Sequence, residues 1–275
     1  MTELAISIPL EEKQLMGILH QADEQSDTAM VLVVGGPQYR VGSHRQFVQL
    51  ARYLYQHQIN VLRFDYSGMG DSQGDKKEFD NVCDDIKAAI DSLQQQLPHV
   101  KKIILWGLCD AASAIQIYAS QDDRVIAQVL LNPWLKSTTA QGKTMVKHYY
   151  LQRLMSKAFW KKLMTGGVNI KGGISEASSH VSQSMKTEQA AQGSYQDRML
   201  KGAKAFKGNT CLILSGNDLT AKEFEQNASM NKEWQQYLAA SCQIFRIADA
   251  DHTFSTRQYK SEVEQITLDF IKQLA

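Results

Sequence analysis

The sequence predicts an α/β fold in which a mostly parallel, doubly wound sheet carries a helical lid insertion. Short apolar runs alternate with longer segments of helical period, as is typical of βαβ units. The alternation stops over 135–207, a stretch too long for an ordinary connection. With 275 residues and 43% hydrophobic content, the chain can bury a large core. We therefore expect a core formed by 1–134 and 208–275, and a lid or cap formed by 135–207.

The elements follow in order along the chain. Predicted strands lie at 4–8, 17–20, 29–34, 59–64, 103–106, 125–131, 210–214 and 242–247. Helical periods cover 43–58, with Ser43 as a candidate N-cap, and 79–96, which Pro98 ends. The insertion predicts two further helices, at 142–164 and 181–204, and a terminal helix runs to Leu274.

Composition excludes several classes of function. The chain has 30 Lys and Arg against 29 Asp and Glu, so no basic surface favours nucleic acid. It has neither a signal-peptide pattern nor an apolar run of about 20 residues, so we expect a cytoplasmic protein without a membrane span. The cysteines at 83, 109, 211 and 242 form no C-x-x-C pair, and we expect no metal, no disulfide framework and no cofactor.

The central pattern is a strand that turns sharply into a helix at Cys109. The apolar run 103–106 stops at Gly107, and small residues of helical period begin after Cys109. In a nucleophile elbow the corner residue has a strained backbone, and the positions two before and two after it must be small because strand and helix pass closely. Gly107 and Ala111 satisfy that requirement. The pattern differs from G-x-S-x-G by a cysteine at the centre and an alanine at the end.

A thiol at this corner has suitable chemistry. The helix N-terminus favours a thiolate, and the backbone N–H of Asp110 would point at the oxyanion of a substrate carbonyl. The Asp110 carboxylate would disfavour the thiolate, because it is a nearby negative charge. This effect is avoided if the carboxylate turns to solvent. The alternative reading of Cys109 is a small buried core thiol.

Two further residues complete a candidate triad. Asp218 follows the strand 210–214, and His252 follows the strand 242–247. The order nucleophile, acid, histidine is the one that an α/β-hydrolase sheet imposes. Asp249 and Asp251 are close to His252 in sequence but poorly placed to contact its ring, and Glu223 is the alternative acid.

Four strings give the chain its resemblance to a known family: 35–45, 64–72, 107–111 and 251–255. In these strings it resembles the exosortase A system-associated hydrolase 1 family, α/β hydrolases found beside bacterial exosortase and exopolysaccharide genes. The resemblance implies the α/β-hydrolase fold and a hydrolytic or acyl-transfer activity. It implies no defined substrate.

The string 35–45 departs from many relatives, which carry His-Gly-x after the third strand. This chain has glycines at 35 and 36 followed by Pro37, which has no N–H to donate to an oxyanion. We therefore expect the second donor to be the backbone of Gln38 or Gly36. Arg40 could bind an anionic group of the substrate, or form an ion pair with a carboxylate such as Asp65.

Trp134, which follows the strand 125–131, and Tyr149 in the insertion are further candidates to contact the substrate. Aromatic residues of the insertion could equally serve only to attach it to the sheet.

The sequence thus predicts a hydrolase that cleaves an ester or thioester of a small-molecule acyl substrate through a Cys109, His252 and Asp218 triad and a thioacyl-enzyme. An acyltransferase or a dienelactone-hydrolase-like lactonase is the nearest alternative. A non-catalytic binding module on a hydrolase fold is the alternative from another class. The sequence leaves the oligomeric state open, and a homodimer is compatible with it.

Overall fold

A single eight-stranded sheet forms the centre of the computed structural model, which describes residues 3–22, 26–136 and 193–274. Its strands are β1 (Glu3–Leu10), β2 (Lys13–His20), β3 (Thr28–Val33), β4 (Asn60–Phe64), β5 (Lys102–Leu108), β6 (Val125–Leu131), β7 (Asn209–Ser215) and β8 (Cys242–Ile247). The spatial order is β1-β2-β4-β3-β5-β6-β7-β8. Pairings of β1 with β2 and of β2 with β4 are antiparallel, and all others are parallel. The predicted mostly parallel sheet is confirmed.

Seven α-helices are described. They are α1 (Gln46–Gln56), α2 (Cys83–Gln96), α3 (Asp110–Tyr118), α4 (Tyr195–Ala205), α5 (Leu219–Met230), α6 (Lys232–Ser241) and α7 (Arg257–Lys272). Helices α1 and α7 pack against each other, and α2 packs against α3 and the strands β1, β3 and β4. The central strands are buried on both faces, which explains why they read as continuous apolar runs.

A large apolar cluster lies between the sheet and helices α1 and α7. Trp106 of β5 is its largest buried side chain, and its ring meets Phe47 of α1 edge to face with centroids 5.5 Å apart. Phe254, two residues beyond His252, is buried in the same cluster. The core therefore anchors both the strand that leads to Cys109 and the loop that carries His252.

One helix start differs from the prediction. Ser43 does not cap α1 but begins a short 3-10 turn, Ser43–Arg45, and no side chain caps either start. His44 and Arg45 adopt positive φ values of 52° and 61°. The chain kinks there before α1 begins at Gln46, so the N-cap position lies at Arg45, two residues later than the predicted Ser43.

The chain divides into two compact units. One comprises Met1–Leu135 and Met199–Ala275, and the other comprises Lys136–Arg198. The second unit includes residues 137–192, which are outside the described part, and with them the predicted helix 142–164 and most of 181–204. Among the described residues, no helix is long and apolar enough to cross a bilayer.

A steric contact between α3 and α4 yields a stability test. A Cβ at Gly202 would lie 2.0 Å from the backbone oxygen of Gln116, so the two helices can approach only because Gly202 has no side chain. We expect Gly202→Ala to lower the free energy of unfolding by about 1–3 kcal/mol, although alanine favours a helix more than glycine does. Urea denaturation measures the change. Lys201→Ala, an exposed neighbour in α4, is the control, and a Gly202→Ala protein as stable as the wild type would contradict the close approach.

Candidate active site

Cys109 lies at the corner between β5 and α3. Its φ of 62° and ψ of −123° are outside the regions that non-glycine residues normally adopt. A Cβ at Gly107 would lie 2.7 Å from Cδ1 of Ile115 and 2.9 Å from the backbone carbon of Ala111. The strained corner and the need for a small residue before it are thus the features that the elbow pattern predicts.

His252 and Asp218 meet beside this corner. Nδ1 of His252 is 2.9 Å from Oδ2 of Asp218. The same carboxylate caps α5 by accepting the N–H of Ala221 at 3.0 Å, so the helix start fixes its orientation. The imidazole also interacts with the side chain of Cys109. The structure therefore brings together the three residues that chain order suggested.

These contacts change the ionisation of His252. Burial alone lowers its pKa, but the hydrogen bonds and charges of Asp218 and Cys109 outweigh burial and raise the pKa from 6.5 to about 10. The imidazole is consequently protonated at neutral pH in this arrangement. It can hold a proton beside the Asp218 carboxylate.

Asn132 joins the ends of the strands that carry the site. Its Oδ1 accepts the N–H of Ser215 at 2.8 Å, and its Nδ2 donates to Oγ of Ser215 at 2.8 Å and to the backbone oxygen of His252 at 3.1 Å. Ser215 in turn donates to the backbone oxygen of Asp251 at 2.9 Å. This buried network fixes the His252 loop to the ends of β6 and β7. Neither Asn132 nor Ser215 was among the residues predicted for the site. The sequence signal that could have identified them is a polar side chain at the end of each of two adjacent buried strands.

The Asp110 carboxylate is turned inward rather than to solvent. Its Oδ2 accepts the N–H of Gly36 at 2.8 Å, and its Oδ1 accepts the N–H of Ala111 at 2.9 Å. Burial raises the pKa of this carboxyl, although the backbone hydrogen bonds act in the opposite direction. The N–H of Gln38 donates to the backbone oxygen of Gly35 at 3.3 Å. Gly36 and Gln38 were the expected second oxyanion donors, and in this structure both amides already have partners within the chain.

Arg40 also differs from its expected role at the substrate. Its guanidinium pairs with the buried carboxylate of Asp65 and with the exposed carboxylate of Asp71. Its backbone N–H donates to Oδ1 of Asp65 at 2.6 Å. The ion-pair alternative is the one found, because a buried carboxylate requires a cationic partner. Arg40 therefore connects the loop after β3 to the loop after β4.

Trp134 lies next to the elbow. Its backbone N–H donates to Oγ of Ser113 at 2.9 Å and to the backbone oxygen of Cys109 at 3.3 Å, while its ring is half-buried against Phe79. Tyr149 is outside the described residues. Of the expected substrate contacts, Trp134 is thus the one whose position the structure gives near Cys109.

The two aspartates next to His252 in sequence, Asp249 and Asp251, do not contact the ring in the way that Asp218 does. Asp251 accepts the N–H of Ser255 at 2.9 Å and the hydroxyl of the same residue, and Asp249 is exposed.

Within the described part of the chain, no group of His, Cys, Asp and Glu side chains could hold a metal ion.

Comparison with known proteins is consistent with this architecture. The sequence model of the family described as Serine aminopeptidase, S33 matches residues 25–223, more than two thirds of the chain. No curated protein matches significantly.

Among solved structures, the esterase Pf2001 of Pyrococcus furiosus is 17% identical with a TM-score of 0.67, over 99% of this chain and 91% of that chain. Est1E of Butyrivibrio proteoclasticus, solved with bound ferulic acid, is 14% identical with a TM-score of 0.64, over 98% of this chain and 99% of that chain. A dienelactone hydrolase of Anabaena variabilis is 16% identical with a TM-score of 0.63, over 99% of this chain and 97% of that chain. These similarities confirm the predicted α/β-hydrolase fold.

The His252 and Asp218 contact predicts a pH-dependent contribution to stability. Because folding raises the pKa of His252, the contribution is fully present below about pH 6.5 and is lost as the pH rises through about 10. Asp218→Asn keeps an oxygen that can cap α5 but removes the charge that holds the proton. We expect the difference in unfolding free energy between wild type and Asp218→Asn to be largest near pH 6 and to shrink towards pH 10. Urea denaturation across this range measures it, and a difference independent of pH would contradict the assignment.

Proposed function

The chain belongs to the serine aminopeptidase S33 family of α/β hydrolases, and from this premise we propose that it cleaves carboxylic esters or thioesters. In this proposal Cys109 is the nucleophile, His252 is the general acid and base, and Asp218 orients and stabilises the imidazolium. The family is named for serine enzymes, whereas this chain has a cysteine at the elbow.

One observation carries the proposal. The Cys109 side chain, on a strained strand-to-helix corner, interacts with an imidazole whose Nδ1 lies 2.9 Å from a buried carboxylate. A buried core thiol would require neither the positive φ at Cys109 nor a histidine and carboxylate aligned behind it. The same alignment argues against a binding module that has lost its catalytic groups.

The chemistry would proceed in two steps. The thiolate of Cys109 attacks the acyl carbon, an S–C bond forms, and the carbonyl electrons move to oxygen. When the oxyanion collapses, the bond to the leaving group breaks, and the leaving group takes the proton of the His252 imidazolium. Neutral His252 then removes a proton from water, whose hydroxide attacks the thioacyl carbon. Collapse of the second oxyanion releases the carboxylic acid and the thiolate, and His252 retains the proton.

The nucleophile favours activated acyl groups over amides. In a tetrahedral adduct with a poor leaving group, a thiolate leaves more easily than an amine and so returns substrate. Esters and thioesters carry better leaving groups, which favours them over the peptides that the family description suggests. The esterases among the structural neighbours are in keeping with this choice.

Two narrower assignments belong to the same proposal. The strings 35–45, 64–72 and 251–255 support membership of the exosortase-associated subfamily and a role beside exopolysaccharide genes. The insertion over 135–207 is proposed as a lid, since the chain enters it directly after Trp134, whose backbone N–H donates to the carbonyl of Cys109.

Covalent labelling tests the nucleophile. After incubation with a short p-nitrophenyl ester, and separately with an acyl-CoA, intact-protein mass spectrometry should show one added acyl group on the wild type and none on Cys109→Ala. Turnover should be lost in Cys109→Ala, because no other group stands at the elbow, and Cys109→Ser should retain weak esterase activity if His252 can activate a hydroxyl.

Cys242→Ala is the matched control, since this half-buried thiol lies at the start of β8 and burial raises its pKa to about 11. That variant should acylate like the wild type. Unchanged turnover in Cys109→Ala would contradict the triad.

A further inference from the structure

The carboxylate of Asp110 accepts an N–H that an acyl oxyanion would need. It accepts the N–H of Gly36 from the loop after β3 and the N–H of Ala111 from the first turn of α3. At an elbow the usual donors to an oxyanion are the N–H of the residue after the nucleophile, here Asp110, and an N–H of the loop after β3, where Gly36 is a candidate. In this structure the N–H of Gly36 already donates to an anion that belongs to the protein itself.

The loop after β3 is shaped around this carboxylate. A Cβ at Gly35 would lie 2.1 Å from Oδ1 of Asp110 and 2.8 Å from the backbone nitrogen of Ala111. Any side chain at position 35 would therefore displace either the carboxylate or the helix start. Because Asp110 and Gly36 are 74 positions apart in sequence, their contact is a specific tertiary interaction rather than local capping alone.

The charge of Asp110 acts on other residues of the site. Its carboxylate interacts electrostatically with His252, and its charge helps to raise the pKa of the buried Tyr66. An oxyanion bound to the N–H of Gly36 would be a second negative charge beside the first. The two anions cannot share this donor, so they compete.

We propose that Asp110 is an intramolecular competitor of the substrate oxyanion, and that acylation of Cys109 requires its carboxylate to leave the N–H group of Gly36. This inference rests on the proposed function, because it assumes that Cys109 attacks an acyl carbon. It gives Asp110 the role of a residue that sets which acyl groups react: those whose developing oxyanion replaces the carboxylate.

Burial is consistent with a carboxylate that can be displaced. It raises the pKa of Asp110 despite the backbone hydrogen bonds from Gly36 and Ala111, so the site stabilises the charged carboxylate less well than water does. A carboxylate that turned to solvent would regain its hydration.

Two reactions of the same thiol separate the oxyanion effect from general reactivity. Acylation by a p-nitrophenyl ester passes through an oxyanion, whereas alkylation by iodoacetamide does not. For each variant we would measure the rate constant of the acylation burst and that of Cys109 alkylation, and compare their ratio. Asp110→Ala removes the competing carboxylate, and Asp110→Asn keeps its shape while removing its charge.

We expect the acylation-to-alkylation ratio to rise about tenfold or more in Asp110→Ala, a fraction of the roughly 10²–10³-fold effect of one oxyanion donor. Asp110→Asn should give a smaller rise, since its amide oxygen still accepts an N–H. Asp84→Asn, which removes an exposed acid from the first turn of α2, is the control and should leave the ratio unchanged.

A ratio that stays constant or falls in both Asp110 variants would overturn the inference and would show that the carboxylate organises the loop for catalysis. Circular dichroism and urea midpoints identify a variant that fails to fold, and the isosteric Asp110→Asn protein then carries the test. If wild type forms no acyl adduct on Cys109, the proposed function fails first. That outcome differs from an adduct that forms with an acylation-to-alkylation ratio unaffected by the Asp110 variants.

Discussion

The close approach of α3 to the ends of β3 and β5 is the constraint on which the rest of the site depends. Gly107 and Gly35 allow it, since a Cβ at either position would overlap the first turn of the helix. The approach leaves Cys109 in a positive-φ corner, at a cost of order 1–3 kcal/mol that the surrounding core must offset. Trp106 and its buried neighbours supply that support immediately before the corner. The thiol is half-buried at the carboxyl end of β5, above this tight packing.

A second constraint fixes the positions of the three loops of the site relative to one another. Cys109, Asp218 and His252 follow β5, β7 and β8, so their mutual geometry depends on contacts between strand ends rather than within one element. Asn132, at the end of the intervening β6, supplies those contacts through Ser215 and the carbonyl of His252. A buried amide with all its hydrogen bonds made has one orientation, and it transmits that orientation to the histidine loop.

The sequence could predict the elements and their order because buried strands and strained corners have local signatures. The apolar runs gave every strand of the described sheet, and the small residues around Cys109 indicated its corner. Local signals could not give the direction of the Asp110 carboxylate, because its partner Gly36 is 74 positions away. Arg40 was ambiguous for the same reason: both candidate partners carry negative charge, and only tertiary structure placed it on Asp65. Side-chain direction at a site is a tertiary property even where the site's position is a local one.

The two aspartates of the site show how environment separates identical groups. Asp218 and Asp110 both stand at helix N-termini and both accept backbone N–H groups. Asp218 also faces the imidazole, so its charge stabilises the proton that His252 carries. Asp110 instead accepts the N–H of Gly36, a candidate donor to the oxyanion that develops in acyl transfer. The Asp218 carboxylate therefore favours the protonated histidine, whereas the Asp110 carboxylate opposes the oxyanion. Acylation then depends on whether the oxyanion displaces the Asp110 carboxylate at the start of α3.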